Sequence, residues 1–90
     1  MSDFERHLEE QLKDPEFASE WEAQKPERDY IKAILEVRKD QNLTQKELAE
    51  KSGVKQSNIS RIETGSASPT VATLQKIAKG VGKTLHLEFR

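Results

Sequence analysis

Two histidines and a run of glutamates are the residues of this sequence that could support catalysis or metal binding. His7 lies in an acidic segment and His86 in an alternating segment near the end, so they share no motif. Glu5, Glu9 and Glu10 could be imagined as a metal site, but such a run is far more often a solvated helix face. There is no cysteine, no glycine-rich phosphate loop, and no serine with a histidine and an acid at a plausible spacing. We therefore expect no enzyme, no catalytic residue, no metal and no cofactor.

Side chains suited to hydrogen bonding outside the protein are concentrated in residues 53–65, GVKQSNISRIETG. Ile59 and Ile62 are the large apolar residues of its second half, and their spacing predicts a short helix with one buried side. The polar residues on or near the other side are Gln56, Ser57, Asn58 and Arg61. This segment is either an ordinary surface helix or a helix that contacts another molecule.

The net charge of −1 hides two halves of opposite sign. Residues 1–27 contain nine acidic and three basic residues, a net charge of −6, whereas residues 28–90 contain seven acidic and twelve basic residues, a net charge of +5. A basic surface suits phosphates, and an acidic arm suits a basic protein. The alternative is two solvated faces without a partner. The start lacks the apolar run of a signal peptide and no segment has membrane length, so we expect a cytoplasmic protein.

The first 27 residues are predicted to form two short helices. Asp14 is a candidate N-cap and Pro15 a candidate first helical residue, so a second helix begins there. The sequence around Pro26 resembles a linker or a helix boundary. Apolar residues recur every four positions in each helix, and these are Phe4, Leu8, Leu12, Phe17 and Trp21. The arm either folds back onto its own domain or presents these residues to a partner.

Residues 28–82 have a denser helical pattern. A helix with the spacing of YIKAILEVRKDQ is followed by TQKE, a capping box in which Thr44 and Glu47 exchange hydrogen bonds. Gly53 supplies the positive φ that a sharp corner between two helices requires. The segment 53–65 then forms the second helix of the corner, and VATLQKIAKGVG forms the last helix.

The pattern changes to strict alternation in residues 83–90, where Leu85, Leu87 and Phe89 alternate with His86 and Glu88. Alternation predicts a half-buried strand. The chain contains no second candidate strand, so this one needs a partner outside the chain. We expect it to pair with the same strand of a second copy in a homodimer, and pairing with a different protein is the alternative.

The segment LTQKELAEKSGVKQSNISRIETGSASPTVATLQKIAKGVG resembles the helix-turn-helix domain of the XRE/Cro/C1-repressor family. The resemblance implies an all-α fold. It comprises a five-helix, lambda-repressor-like domain at residues 28–82, an acidic helical arm at residues 1–27, and one β-strand at residues 83–90. The family places the start of the second helix of the corner in the major groove of double-stranded DNA.

By this resemblance, four side chains are candidates for base contacts, since Gln and Asn can bond adenine and Arg can bond guanine through two atoms. They are Gln56, Ser57, Asn58 and Arg61, although Asn58 could instead turn toward the flank. Candidates for phosphate contact or support are Gln45, Lys55, Thr64 and Ser66. Lys55 departs from the family, which usually has a Ser or Thr cap there. In this family the positions of Arg38 and Glu63 commonly form an ion pair under the domain.

The layout FERHLEEQLKDPEFASEWEAQ ahead of such a domain is similar to that of HigA-type antitoxins. This implies a small, basic RelE/HigB-like ribonuclease toxin as partner, bound through the arm residues, and repression of the shared operon by an antitoxin dimer at a palindromic operator. The alternative is a stand-alone XRE-family repressor whose arm is structural.

Overall fold

The computed structural model describes residues 3–89, with side chains from residue 5 onward. In this range the chain forms six α-helices: α1 (Asp3–Gln11), α2 (Pro15–Ala23), α3 (Lys25–Asp40), α4 (Gln45–Ser52), α5 (Gln56–Glu63) and α6 (Val71–Gly80). The all-α class expected from the sequence is confirmed. None of these helices is both long and apolar enough to cross a membrane.

The arm consists of α1 and α2, and it continues into α3 almost without a break. The side chain of Asp14 accepts a hydrogen bond from the Glu16 amide at 3.0 Å, and Pro15 is the first residue of α2, as the sequence predicts. Only Gln24 separates α2 from α3. Pro26 lies in the first turn of α3, where the missing amide costs no helical hydrogen bond. The expected boundary after residue 27 therefore falls inside a helix.

The helix-turn-helix unit is α4 and α5 with the corner at Gly53. The predicted capping box is confirmed: the Thr44 hydroxyl accepts from the Glu47 amide at 3.0 Å, and the Glu47 carboxylate accepts from the Thr44 amide at 3.0 Å. The bond from the Thr44 amide, followed by that from its hydroxyl, lowers the pKa of Glu47 because both favour the ionised carboxylate. Gly53 has a φ of 74°, a left-handed conformation that ends α4 and redirects the chain.

A small apolar core joins α3, α4, α5 and α6. Leu48, Ile59 and Ile62 are fully buried at its centre. The other buried members are Ile34, Leu43, Val54, Ile77 and Val81. Since α5 supplies two of the three central side chains, its inner face is fixed and the opposite face is presented outward.

The structure departs from the sequence prediction in the number of helices in the domain and in the form of the last residues. The domain has four helices, α3 to α6, among the described residues, not five. Residues 83–89 form no strand; they have no regular secondary structure. Gly82, with a φ of 75°, ends the helical path, and the Lys83 amide donates to the Ala78 carbonyl at 2.8 Å. A strand needs a neighbouring strand, and nothing in residues 3–82 supplies one.

Candidate nucleic-acid interface

The outward face of α5 is formed by the residues opposite Ile59 and Ile62. At 100° per residue, Ser57, Arg61 and Thr64 lie on the side farthest from the buried pair, and all three are exposed. Gln56 is also exposed and lies at the edge nearer Glu63. The structure thus brings Gln56, Ser57 and Arg61 together on one accessible face, where long polar side chains can reach another molecule.

Asn58 lies on the opposite edge of α5 and is only half-exposed. It turns toward α6, where it lines a polar cleft of about 340 Å³. We call this the α5–α6 cleft; its polar lining residues are Lys55, Ser57, Asn58, Arg61, Thr73 and Lys76. Of the four candidates for base contact, Asn58 is therefore the one set apart from the centre of the outward face.

Lys55 occupies the N-cap position of α5 and makes no side-chain capping bond. Its carbonyl nevertheless accepts the Asn58 and Ile59 amides, each at 3.0 Å, so the first turn is regular. The Lys55 side chain is exposed beside Ser57 at the mouth of the α5–α6 cleft. Its ammonium group is thus available to an anion while the helix start is held by backbone bonds.

Thr64 and Ser66 lie at the other end of α5. The Thr64 hydroxyl is 3.1 Å from the Ser60 carbonyl and 2.9 Å from the Ser66 hydroxyl. Both residues are exposed. Between them Gly65 adopts a φ of 79°, which turns the chain away from the helix. The two hydroxyls form one small polar group at the end of α5, distant along the helix from Lys55.

A network centred on Glu63 connects α5 to α3 and α4. The Arg38 guanidinium donates to both carboxylate oxygens of Glu63, at 2.6 and 2.9 Å, and also to the Leu43 carbonyl at 3.1 Å. The side-chain amide nitrogen of Gln45, Nε2, donates to the Glu63 carboxylate at 2.8 Å. The Glu63 side chain is only 6% exposed, against 23% for Arg38. The carboxylate is therefore neutralised under the domain, and Gln45 is held at the start of α4 beside α5.

Three cations surround the α5–α6 cleft without a carboxylate partner. Among the described residues, none of Lys55, Arg61 and Lys76 has an acidic group within ion-pair distance, and no acidic residue lines the cleft. Lys76 and Thr73 were not expected from the sequence. They belong to the polar side of α6, which packs on α4 as α5 does, and this shared packing places them across the cleft from α5.

The arm is attached to α3 through Trp21. The Arg28 guanidinium lies 3.4 Å from the centre of the Trp21 ring and donates to the Trp21 carbonyl at 2.6 Å. Phe17 stacks on Trp21 with ring centres 6.2 Å apart. Leu8, Leu12, Phe17 and Trp21 are half-exposed, and no residue of α2 is buried. Phe4 lies in α1, but its side chain is outside the described part of the chain.

Residues 83–88 border an apolar groove of about 600 Å³ between α3 and α6, which we call the C-terminal groove. Leu85 is half-buried there. Leu87 is 64% exposed and Phe89 is fully exposed. The three residues expected to contact a second copy are thus not equivalent, because Leu85 already packs against its own chain.

The sequence model of the helix-turn-helix family (HTH_3) matches residues 34–87, which is more than half of the chain. An uncharacterized HTH-type transcriptional regulator of Haemophilus influenzae is 42% identical over 57 residues, 63% of this chain and 58% of that protein. HTH-type transcriptional regulator PuuR of Escherichia coli is 44% identical over 58 residues, 64% of this chain and 31% of PuuR. Antitoxin HigA1 of Mycobacterium tuberculosis is 32% identical over 74 residues, 82% of this chain and 50% of HigA1.

The chain thus spans between 31% and 58% of the length of these relatives. The matched stretches also differ in length, and their length limits which part of the chain they cover. A stretch of 57 or 58 residues fits within residues 28–90, whereas a stretch of 74 in 90 has to contain residues 17–74 and so includes part of the arm. No solved structure gives a significant match.

Proposed function

The chain belongs to the XRE-type helix-turn-helix family, and we propose that it is an antitoxin that binds DNA and represses its own operon. It reads double-stranded DNA with the outward face of α5 and neutralises a small, basic RelE/HigB-like toxin through its acidic arm. The observation that carries the DNA-binding half is the exposed face of α5, which has no acidic residue and bears Gln56, Ser57 and Arg61 over a fully buried inner side.

The arrangement of charges on α5 supports DNA binding by this helix. The only acidic residue of α5 is Glu63, and it is paired with Arg38 on the buried side, so it does not oppose phosphates. Arg61 projects outward without an ion pair among the described residues, and its fork of donors matches O6 and N7 of guanine. Gln56 and Ser57 lie beside it for further base contacts. Lys55 and the Thr64–Ser66 pair flank the helix and suit phosphate contacts that set the register.

The toxin-binding half is supported by the arm. Residues 1–27 carry a net charge of −6, which suits a basic partner. Leu8, Leu12, Phe17 and Trp21 keep part of their apolar surface accessible, and none of the side chains described in α1 and α2, from residue 5 onward, is buried. The similarity to HigA1 includes part of the arm, as its length requires. The shorter similarities to plain regulators do not require any residue of the arm.

Dimerisation is proposed through residues 83–89. Leu87 borders the C-terminal groove but is still 64% exposed, and Phe89 beyond it is fully exposed. The segment forms no ladder with any other described part of the chain. Antiparallel pairing with a second copy about a two-fold axis would cover these side chains and pair the backbone. Two α5 helices would then enter successive major grooves, about 34–36 Å apart, so the operator would be palindromic.

The second candidate function is a stand-alone XRE-type repressor with no toxin. The contact between Arg28 and Trp21 favours it, because this contact fixes α2 against α3 and gives the arm a structural role. The similarities to PuuR and to the Haemophilus regulator favour it as well. The two functions share the DNA interface and differ in whether Phe17 and Trp21 contact another protein.

DNA binding is tested with a duplex that covers the region upstream of the reading frame, and with an unrelated duplex of equal length. Replacing Arg61 with Ala should weaken binding to the upstream duplex by about 1–3 kcal/mol, as expected for loss of a contact with two hydrogen bonds to guanine. Lys25→Ala is the matched control, since it removes one exposed charge outside α5 and the cleft. Undiminished affinity of the Arg61 variant would remove α5 from the interface.

The antitoxin role is tested by purifying the tagged full chain from its native cells at high salt after nuclease treatment. We expect one small basic protein in near-stoichiometric amount, which cleaves RNA when isolated and stops doing so when the chain is added back. Replacing both Phe17 and Trp21 with Ala should abolish its recovery with the helical content intact, whereas Leu35→Ala, an exposed apolar site on α3, should not. Recovery of the chain alone would support the stand-alone repressor.

A further inference from the structure

The α5–α6 cleft has a charge distribution that base reading by α5 does not account for. Lys55 comes from the corner before α5, Arg61 from α5 and Lys76 from α6, so three separate elements direct cations to one cleft. Among residues 3–89 no carboxylate pairs with any of them. Like charges brought together without a counter-charge repel one another, and an anion placed between them removes that repulsion.

The position of the cleft indicates which anion it fits. Ser57 and Arg61 belong both to the outward face of α5 and to the lining of the cleft. A duplex whose bases contact that face would therefore place its backbone along the cleft mouth. The far side of the cleft is formed by Thr73 and Lys76, one helical turn apart on α6. These residues lie on α6 and not on the outward face of α5, so we expect them beside a phosphate that flanks the bases and not at the base edges.

From this geometry we propose that Lys76 binds a phosphate of the DNA backbone, so that α6 forms part of the nucleic-acid interface. The proposal rests on DNA binding by α5 and adds a contact that carries no sequence information. Lys76 donates from its ammonium group, and Lys55 lines the same cleft. The side chain of Lys76 is exposed, so the contact needs no rearrangement of the core.

The test uses Lys76→Gln, which removes the charge and keeps a long polar side chain. Lys79→Gln is the matched control, because Lys79 lies on the same helix, is exposed and does not line the cleft. Affinity is measured by fluorescence anisotropy at several salt concentrations for the upstream duplex and for the unrelated duplex. Losing one phosphate contact should reduce the slope of log K against log[salt] by about 0.9 and the affinity by about fivefold at 0.15 M salt.

The expected loss is equal for both duplexes, since a phosphate contact does not depend on sequence. Arg61→Ala should instead weaken the upstream duplex more than the unrelated one. A Lys76 variant with the wild-type slope and affinity, while Arg61→Ala loses binding, would overturn the role of Lys76 alone. An equal loss in the Lys79 variant would also overturn it, because the effect would then be one of net charge. Absence of DNA binding by the wild-type chain would overturn both proposals.

Discussion

Gly80, the last residue of α6, lies directly against the backbone of α4. A Cβ atom added there would lie 2.8 Å from the backbone carbon and oxygen of Lys51 and 2.8 Å from the Cα of Ser52. Carbon atoms in ordinary contact are about 3.5–4.0 Å apart. Because the opposing atoms are backbone atoms in the last turn of α4, they cannot move aside as the end of a side chain would. Gly80→Ala should therefore separate α4 from α6 or unwind the end of α6.

The sign of the Gly80→Ala effect depends on two opposing contributions. Alanine in a helix is favoured over glycine by about 1 kcal/mol, so helix propensity alone predicts that the variant is more stable. Overpacking typically costs about 1–3 kcal/mol, and contact with a fixed backbone belongs at the upper end. We expect a net loss of about 1–2 kcal/mol in the free energy of unfolding, and a Tm lower by roughly 4–16 °C.

The assay is urea and thermal unfolding followed by circular dichroism at 222 nm. Lys79→Ala is the control, since it changes the neighbouring exposed position of the same helix and should shift stability by no more than about 0.5 kcal/mol. A Gly80→Ala variant as stable as the wild type, or more stable, would refute the close approach of α4 and α6. It would mean that helix propensity, not packing, decides the outcome at this position.

The remaining predictions concern hydrogen-bonded carboxylates. Glu63→Ala leaves the partly buried guanidinium of Arg38 without its partner and removes the acceptor of the Gln45 side chain. The free energy of unfolding should fall by about 2–4 kcal/mol, somewhat less than for a fully buried pair because Arg38 retains contact with water. A decrease below about 0.5 kcal/mol in urea unfolding would contradict this. The pKa of Glu47 is lowered in the folded state by its hydrogen bonds to Thr44. These bonds therefore stabilise the fold fully at a pH above the ordinary glutamate pKa of about 4.3. Their effect is lost as the pH falls through the lower pKa of the folded state. The difference in unfolding free energy between wild type and Glu47→Gln should therefore vanish in acid, and a difference that persists at all pH values would disprove the assignment.

Predictions from neighbouring residues succeeded because their physics is local. The capping box of Thr44 and Glu47 joins residues three positions apart, and Asp14 caps a helix that begins at the next residue. Gly53 adopts the left-handed conformation that a corner requires whatever surrounds it. The apolar spacing of Ile59 and Ile62 likewise identified the inner face of α5, and with it the face presented outward.

Predictions that needed a partner outside the local sequence were less complete. Alternation in residues 83–90 expresses a preference for a strand, but a strand forms only beside another, and residues 3–82 contain none. A lambda-repressor-like domain was expected to have five helices, but four, α3 to α6, are formed. The sequence around Pro26 suggested a linker or a helix boundary, and the structure has the boundary: α2 ends at Ala23 and Pro26 lies in the first turn of α3.

By itself, then, the sequence determined the helix-turn-helix unit, its corner and the polar face of α5, because each depends on contacts within one or two turns of the chain. Only the tertiary structure decided that Arg28 holds Trp21 and that Gly80 lies against the backbone of α4. It also decided that Lys76 completes a cleft with Lys55 and Arg61. These features depend on how separate helices lie against one another, and that arrangement is set by tertiary packing, which the spacing of residues along the chain does not record.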